Sequence, residues 1–356
     1  MKWRRTSADG AMWKGLPSGF PGLCDLCGRP RIESGKTTGG QFPTPPCHKD
    51  GSRRVFDAYP FSTRRLNMTL TTHTFDQHRR RLTGIAYRML GSRADADDVL
   101  QDAWLRWHES APADLRSAEA WLVTAVTRLS IDRLRARKAE AQHYVGPWLP
   151  EPLAEHDLIT PESRLERADD LSFAFIAVLE RLSPDERAAF LLREVFDYDY
   201  PEVAQALDKS EAACRQLVHR AKTRVGEQQP RFTVDREAHL RVLRRFMAAA
   251  QSGKRDDIES LLADDAIAVS DGGGKTWATL KPLHGASRIA WLYYAVARNP
   301  DISLEWREGL VNGEPAILRF RNGVLHSTLS IVTDGERVLA LYGVLNPDKL
   351  GGFGVD

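Results

Sequence analysis

The sequence predicts a chain of several domains, in which two all-α modules precede an α+β domain. Three observations carry this prediction. Apolar residues recur at helical spacing between residues 76 and 139, paired helix-capping signals bracket short helices within 183–225, and strand-forming runs follow Pro230. The second all-α module has the spacing of a helix-turn-helix.

The composition is that of an ordinary globular chain. Of the 356 residues, 28% are charged and 42% are hydrophobic, and no apolar run approaches the roughly 18 residues of a membrane span. No signal peptide is visible, and four cysteines are too few for a disulfide scaffold, so we expect a cytoplasmic protein without a membrane partner. The basic tracts RLRARK (133–138) and RQLVHRAKTR (215–224) lie in helical stretches and favour a phosphate backbone as partner.

Residues 1–67 are rich in Gly, Pro, Ser, Thr and Arg and show no sustained period, which predicts a disordered extension. A translation start at Met68 is an alternative explanation for this segment. Four possible zinc ligands lie in it, namely Cys24, Cys27, Cys47 and His48. The adjacent cysteine and histidine suit a tetrahedral site poorly and no apolar core surrounds them, so we predict no metal.

Residues 68–139 form the first helical module, where three apolar stripes predict three helices. The stripes are Leu82, Ile85, Ala86, Met89 and Leu90; Val99, Leu100, Ala103, Trp104 and Trp107; and Trp121, Leu122, Ala125, Leu129 and Leu134. Asp95, Asp98 and Asp102 share one face of the second helix, and a basic partner would relieve this row of like charges. A preference of acids for a helix N-terminus is the alternative, but it does not extend to Asp102.

A linker follows at 140–165, where HYVGPWLPEPL (143–153) contains three prolines that forbid a long helix. The second helical module covers 166–230. Capping boxes begin helices at Ser183 and at Asp199, each with a glutamate three residues later. Ser210 caps the next helix after a short turn, so the spacing predicts a helix-turn-helix.

The last helix of this module has an apolar and a basic face. Cys214, Leu217, Val218 and Ala221 point inward, whereas Arg215, Gln216, His219, Arg220 and Lys222 point outward. Outward basic and amide groups are what base edges and phosphates require, and they favour DNA binding over a solvated helix face.

The stretch SPDERAAFLLREVFDYDYPEVAQALDKSEAACRQLVHRAKTRV (183–225) resembles region 4 of the extracytoplasmic-function sigma factors. It matches that family's pattern L-S-x-x-x-R-x-x-F-x-L-R-E, Y-x-E-[IV]-A and S-E-x-x-x-[KR]. The resemblance implies that the −35 promoter element is read by Ser210, Glu211, Arg215, Gln216, His219, Arg220 and Lys222. The family usually has glycine at the turn, where this chain has Asp208, which tolerates a left-handed backbone less well.

ADADDVLQDAWLRW (94–107) resembles the helix of sigma region 2 that docks on the clamp helices of the polymerase β′ subunit. The resemblance implies polymerase contacts for Asp95, Asp98, Gln101 and Asp102, with the β flap as a second polymerase partner. In the family, −10 recognition and melting fall on LRSAE (115–119) and AWLVTAVTRLSIDRLRARK (120–138). The residues so assigned are Trp121, Thr127, Arg128, Asp132, Arg133 and Arg137. For Trp121, a position in the core is the alternative.

The order of helical and strand-like patterns over residues 235–352 predicts an α+β domain. Helices are expected at about 235–251, 255–262 and 286–298, and strands at 266–270, 276–281, 303–310, 315–321, 325–333 and 337–345. DGGGKT (271–276) ends like a phosphate-binding loop, but Val269 stands where the first glycine should be and a strand pattern follows. A glycine-rich hairpin turn is the alternative to a nucleotide site.

This order of helices and strands resembles the SnoaL-like (NTF2-like) cone. WLPEP (148–152), DGGGK (271–275) and NPDKL (346–350) together are the signature of the sigma subgroup that carries this extension. The resemblance implies that loop and tail lie against the sigma core and tune its activity in cis. The residues concerned are Asp271, Gly272, Gly273, Gly274, Lys275, Asn346, Pro347, Asp348, Lys349 and Leu350.

The sequence therefore predicts a sigma factor that directs core RNA polymerase to promoter DNA and catalyses nothing itself, without a cofactor. The alternative is an enzyme of the SnoaL-like cyclase or isomerase class fused to a DNA-binding module, with Asp271, His284 and His326 as its acid–base groups. A helix-turn-helix repressor is a third hypothesis, but it needs no second helical module. A small ligand in the cone is a further candidate partner.

Overall fold

The computed structural model describes residues 61–110, 117–140, 143–154, 172–226, 234–299 and 302–353. The disorder and the zinc ligands discussed for residues 1–60 lie outside this part of the chain. Helices α1 (Phe61–Leu90), α2 (Arg93–Ser110) and α3 (Ala118–Glu140) form the first module. The three predicted stripes meet in its core, in which only Trp104, Trp121 and Ala125 are partly exposed. In the described part of the chain no helix has the length and apolarity that crossing a membrane requires.

Helix α1 begins at Phe61, so its first seven residues fall within the segment 1–67 that the sequence assigned to the extension. Once the buried part of a helix has formed, each further residue adds one hydrogen bond at little cost. The first residue of the predicted apolar stripe, Leu82, lies well inside α1, so the helix extends past this stripe towards its N-terminus.

The second helical module contains α4 (Phe173–Leu179), α5 (Pro184–Phe190), α6 (Tyr200–Leu207) and α7 (Glu211–Gly226), and α5 continues as a π-helical turn over 191–195. Both capping boxes are present at Ser183 and Asp199. Asp208 closes α6 in the left-handed conformation with φ +53°, so it occupies the turn position that the family gives to glycine. The two helical modules share one apolar core, because α3 packs against α1 and α2 and also against α5 and α6.

The C-terminal domain joins three helices to a mixed sheet. Its elements are α8 (Arg236–Ser252), α9 (Arg255–Ser260), β1 (Leu262–Asp271), β2 (Leu283–His284), α10 (Ala286–Arg298), β3 (Glu305–Val311), β4 (Glu314–Arg321), β5 (Val324–Thr333), β6 (Val338–Val344) and a 3-10 turn over Pro347–Lys349. The strand order is β2-β1-β6-β5-β4-β3, in which only β1 and β6 run parallel.

The predicted strand at 276–281 is wrong. After the turn at 273–275 the chain leaves the sheet, and pairing with β1 resumes only at β2. The segment instead lies beside the linker, where Gly146 approaches the Leu280 backbone. DGGGK is therefore neither a simple hairpin turn nor followed by a helix, as a phosphate-binding loop would be.

The two faces of the sheet pack against different partners. Alternate residues such as Ile317, Leu329 and Leu341 face α8 and α10 and form the core of the C-terminal domain. The opposite face forms a separate apolar cluster with the linker and α4, with members Leu149, Phe173, Val311, Ala316, Val344 and Leu350. The sheet thereby brings DGGGK and the C-terminal tail to the linker.

Candidate regulatory centre and nucleic-acid interface

Asp271 ends β1 and is completely buried. Its Oδ1 atom accepts hydrogen bonds from the Tyr144 hydroxyl at 2.6 Å and from the Gly273 amide at 3.0 Å. Its Oδ2 atom accepts from the Leu149 amide at 2.8 Å and from Lys349 Nζ at 2.7 Å. One carboxylate therefore joins the DGGGK loop, the linker and the tail. We call this group the Asp271 centre.

Lys349 supplies the positive charge of the Asp271 centre. Only 12% of its side chain is exposed, and its ammonium lies 3.8 Å from the centre of the Trp148 ring. The same ammonium donates a hydrogen bond to the Leu149 carbonyl. Burial lowers the pKa of Lys349, although Asp271 opposes this change. A buried ion pair of this kind depends on both partners, because either charge alone would be uncompensated.

Asn346 fixes the start of the tail. The Asn346 main-chain amide donates to the Asp271 main-chain carbonyl at 2.9 Å, and the Leu345 main-chain amide donates to the same carbonyl at 2.7 Å. The Asn346 side chain donates to the Tyr144 hydroxyl at 3.0 Å, and it also caps the 3-10 turn. Burial and the hydrogen bond to Asp271 raise the pKa of Tyr144, which keeps this phenol protonated. The tail is therefore docked rather than frayed.

The glycines of DGGGK are required by their backbone and by close contacts. Gly273 has φ +57°, and a Cβ atom there would stand 2.3 Å from the Asn346 side-chain nitrogen. A Cβ atom on Gly272 would stand 2.2 Å from the Thr276 carbonyl oxygen. Lys275 pairs with Asp348, but both side chains are more than half exposed, so this pair contributes little stability.

The linker also contacts the first helical module. The Glu151 amide donates to the Gly91 carbonyl at 2.7 Å, and Glu151 Oε2 accepts from the Arg93 amide at 2.8 Å, at the start of α2. The Tyr87 hydroxyl donates to the Glu151 carbonyl at 2.8 Å. From the C-terminal domain, the Asn312 side-chain amide donates to the Tyr87 hydroxyl at 2.9 Å. The linker thus joins α1 and α2 to the C-terminal domain.

Arg137, a predicted −10 residue, lies below the linker in this structure. Its guanidinium is 4.2 Å from the centre of the Trp148 ring, the same indole that Lys349 contacts. It donates to the Leu90 carbonyl at 2.6 Å and to Glu180 at 3.1 Å. Burial lowers the pKa of Arg137, but an arginine remains charged at neutral pH. Trp148 therefore contacts both Lys349 of the Asp271 centre and Arg137 of α3, the helix that carries the predicted −10 residues.

The remaining predicted −10 residues lie on α3, some buried against neighbouring helices and some exposed. Thr127 is fully buried, and none of the described residues forms a hydrogen bond with its hydroxyl. Arg128 donates to the carbonyls of Ala206 at 2.9 Å and Gln205 at 3.0 Å, at the end of α6. The others are placed as follows: Trp121 is partly buried against Trp107, Asp132 pairs with Arg135, and Arg133 binds Asp95 through two hydrogen bonds.

The predicted −35 residues lie on the exposed face of α7 and at its start. Ser210 caps the helix through the Ala213 amide at 3.2 Å. Arg215, Gln216, His219, Arg220 and Lys222 are all exposed. Glu211 pairs with Arg215, Glu194 with Lys222, and Glu186 with Arg220. These carboxylates orient the basic groups but leave them accessible.

Glu186 is a residue whose second role the sequence did not reveal. It closes the capping box at Ser183, and its carboxylate also receives the guanidinium groups of Arg220 and Arg224. Burial alone would raise the pKa of Glu186, but the hydrogen bonds from Ser183 and the two arginines outweigh burial and lower it. One buried carboxylate thus fixes α7 against α5.

The predicted polymerase-docking face is exposed on α2. Asp98, Gln101 and Asp102 are exposed, whereas Asp95 is held by Arg133. The same face also presents Leu105, which is 42% exposed and which sequence reasoning missed. Its position outside the buried stripe of α2 was the signal for its exposure, although a single exposed leucine is by itself ordinary on a protein surface.

The three acid–base candidates of the enzyme hypothesis are not brought together. Asp271 is engaged by the linker and tail, His284 is exposed on β2, and His326 lies on β5 with Nδ1 3.2 Å from the Ser327 hydroxyl. Strands β1 and β6 separate the two histidines in the sheet. Within the described ranges, no group of three or more His, Cys, Asp or Glu side chains is arranged to hold a metal ion.

Comparison with known proteins matches both helical modules. Residues 74–140 match the family model for Sigma-70 region 2, and residues 172–225 match the model for Sigma-70, region 4. The chain is 37% identical over 290 residues to the ECF RNA polymerase sigma factor SigJ of Mycobacterium tuberculosis, covering 78% of this chain and 92% of that protein. It is 27% identical over 282 residues to the probable ECF RNA polymerase sigma factor SigI of the same species, covering 77% and 92%.

The fold agrees with a solved structure. The crystal structure of Mycobacterium tuberculosis extracytoplasmic function sigma factor SigJ superposes with a TM-score of 0.64 at 34% identity. The match covers 80% of this chain and 100% of that chain, so it includes the C-terminal domain.

Proposed function

The chain belongs to the extracytoplasmic-function RNA polymerase sigma factors, and we propose that its C-terminal domain adjusts sigma activity in cis through the Asp271 centre. As a sigma factor it gives core RNA polymerase its promoter specificity and initiates transcription on promoter DNA. The family is not enzymatic, and the chain itself catalyses nothing. Its place of action is the cytoplasm, where core polymerase works.

The four contacts of the Asp271 carboxylate carry this proposal. They come from the loop, the linker and the tail, which are far apart in the sequence, and they leave the carboxylate no exposed surface. A purely structural domain would not need its terminal lysine in contact with a tryptophan that also covers a −10 residue. Arg137 and Lys349 share Trp148, so movement of the tail changes the surroundings of α3.

The arrangement described here is a restrained one. Thr127 is buried, and the Arg128 guanidinium, although exposed, donates its hydrogen bonds to carbonyl groups at the end of α6, so a −10 element can engage these side chains fully only if this packing changes. Binding of promoter DNA therefore requires α3 to separate from α6. In this proposal the DGGGK loop stabilises the arrangement of the two helical modules. The NPDKL tail opposes their separation.

The exposed surfaces assign the remaining roles. Asp98, Gln101 and Asp102 dock on the β′ clamp helices, and Leu105 adds an apolar contact to this acidic face. Asp95 becomes available when Arg133 turns to DNA. The exposed basic face of α7 reads the −35 element, and the second module contacts the β flap. Arg215 is the base reader in this assignment, whereas Lys222 contacts phosphate.

Reconstitution with core polymerase tests the function. The full chain should co-purify with core polymerase and direct transcripts from a defined promoter. Charge reversal of both Asp98 and Asp102 to Lys should abolish co-purification while circular dichroism stays unchanged. Asp97→Lys is the matched control, because Asp97 is exposed on the same helix about 100° away from Asp98. Undiminished binding by the double variant contradicts the docking assignment.

A further inference from the structure

Arg319 is a buried cation that has no counterion among the described residues. It lies on β4, on the face of the sheet that packs against the helices, and only 7% of it is exposed. Its Nε atom has no hydrogen-bond partner, and no carboxylate of the described residues acts on its charge. Arginine is almost never buried unless it is paired, so this position calls for an explanation.

Aromatic side chains surround this guanidinium. Trp306, Arg319 and Ser327 are cross-strand neighbours on β3, β4 and β5 and therefore point to the same face. The guanidinium carbon is 5.5 Å from the Trp306 ring centre. Above the row, Tyr293 of α10 is buried and packs edge-on against Phe246 of α8, with ring centres 5.1 Å apart. We call these residues the Arg319 chamber.

The charges around the chamber favour a single negative charge. Burial lowers the pKa of Arg319, but arginine starts high enough to remain charged at neutral pH. Burial raises the pKa of Tyr293, so its phenol is neutral. Burial, with Arg319 and Arg321, lowers the pKa of His326, so that histidine adds no second positive charge at neutral pH. The chamber thus offers one cation within aromatic walls.

We propose that the Arg319 chamber binds a small molecule that carries one carboxylate group on an apolar body. The planar guanidinium matches the two oxygens of a carboxylate, and a bidentate pair supplies the missing counterion. Apolar and aromatic surroundings with one placed polar group are typical of small-molecule sites, and the residues around Arg319 have this composition. A phosphate dianion would require more donors than this single cation supplies. The site lies on the face of the sheet opposite the Asp271 centre.

Calorimetric titration of the full chain tests the proposal. The probes are acetate, benzoate and octanoate, each compared with its neutral amide, and inorganic phosphate. At least one carboxylate should bind and raise the melting temperature, whereas its amide should bind at least about tenfold more weakly, because a charged hydrogen-bonding pair is lost. The proposal is overturned if no carboxylate binds, or if amides or phosphate bind as well as the best carboxylate.

Substitutions of Arg319 distinguish an arginine that binds a ligand from one that stabilises the fold. Arg319→Met should weaken carboxylate binding at least about tenfold and should melt at the same or a higher temperature than the parent, because it removes an uncompensated buried charge. Arg319→Lys should retain part of the binding, because it keeps the charge but loses the planar fork. Arg321→Met, on an exposed arginine of the same strand, is the matched control.

Two outcomes would contradict the assignment. If Arg319→Met melts well below the parent without ligand, Arg319 stabilises the fold and is not held for a ligand. If Arg319→Met binds carboxylates like the parent, the ligand lies elsewhere. These measurements use the free chain, so they succeed or fail independently of transcription.

Discussion

Two groups of polar contacts, one at the Asp271 centre and one between the helical modules, differ in how much water reaches them. At the Asp271 centre the carboxylate is completely buried and the Lys349 side chain is 12% exposed. Between the helical modules, Arg128 is exposed, and the Arg135–Asp185 pair leaves 57% of the arginine side chain in solvent. The buried ion pair is costly to break, whereas the exposed polar contacts between the helical modules are cheap to break, and the apolar core that the two modules share accounts for the rest of their interface. In the proposed mechanism the α3–α6 contact opens, and the Asp271 centre determines when it opens.

The largest effect is expected at the buried carboxylate. Asp271→Asn leaves the Lys349 ammonium buried without a charge partner, so we expect the free energy of unfolding to fall by about 3–5 kcal/mol. Asp348→Asn, which removes the exposed partner of Lys275, should cost at most about 1 kcal/mol. Urea titration of both variants gives the comparison. Equal losses would show that the Asp271 centre is no stronger than a surface pair.

A smaller loss is expected from crowding the loop. Gly273→Ala places a Cβ against Asn346 and Tyr144, in addition to the strain of a positive φ. Gly323→Ala is the control, because Gly323 also has a positive φ but has no atom near its missing Cβ. We expect Gly273→Ala to cost about 1–3 kcal/mol more than the control, by thermal unfolding. A difference close to zero would mean that the tail does not pack on the loop.

Removing the exposed Arg128 contact should change local amide exchange more than it changes the free energy of unfolding. Arg128→Gln removes the hydrogen bonds to the end of α6, so the Lys209 amide, which donates to the Ala204 carbonyl, should exchange with solvent several-fold faster. The free energy of unfolding should change by no more than about 1 kcal/mol. Arg133→Gln makes the same change of charge on the same helix, but its hydrogen bonds to Asp95 lie within the first module, so it should leave this exchange unchanged. Unaltered exchange in Arg128→Gln would show that the modules are held by other contacts.

The smallest effect concerns pH. The pKa of Glu186 is lower in the folded chain than in the unfolded chain, where it is about 4.3. Its contribution to stability is therefore fully present above that value and is lost as pH falls through the folded pKa. The stability difference between the parent and Glu186→Gln should be constant near neutral pH and shrink below about pH 4. A difference that grows on acidification would contradict the pairing with Arg220 and Arg224.

Local sequence signals predicted the helical modules well. The capping boxes at Ser183 and Asp199 and the stripes of α1–α3 depend on neighbours in the chain, and the structure confirms them. The prediction of a strand at 276–281 was wrong because it used only the local alternation of apolar and polar residues. In the structure this segment lies beside the linker and does not pair with β1. Contacts between distant segments leave no local pattern.

The same limit applies to the Asp271 centre. The resemblance placed Asp271, Gly273, Asn346 and Lys349 in a regulatory loop and tail, and the structure brings these residues together. Tyr144, which completes the centre, lies in a proline-rich linker whose sequence carries no signal for its partner. Nor did the pattern reveal the buried state of Thr127, because that depends on the packing of α3 between two modules.

Transcription by a tail-truncated chain tests the central claim most directly. A chain that ends at Leu345 loses Asn346 and Lys349 from the Asp271 centre but keeps the hydrogen bonds from Tyr144 and Leu149. Single-round transcription with core polymerase should then yield more transcript than the parent, and a chain that ends at Leu350 should yield the parental amount. If the chain ending at Leu345 is folded but transcribes at or below the parental level, the tail does not restrain the sigma core, and the regulatory role of the Asp271 centre is contradicted.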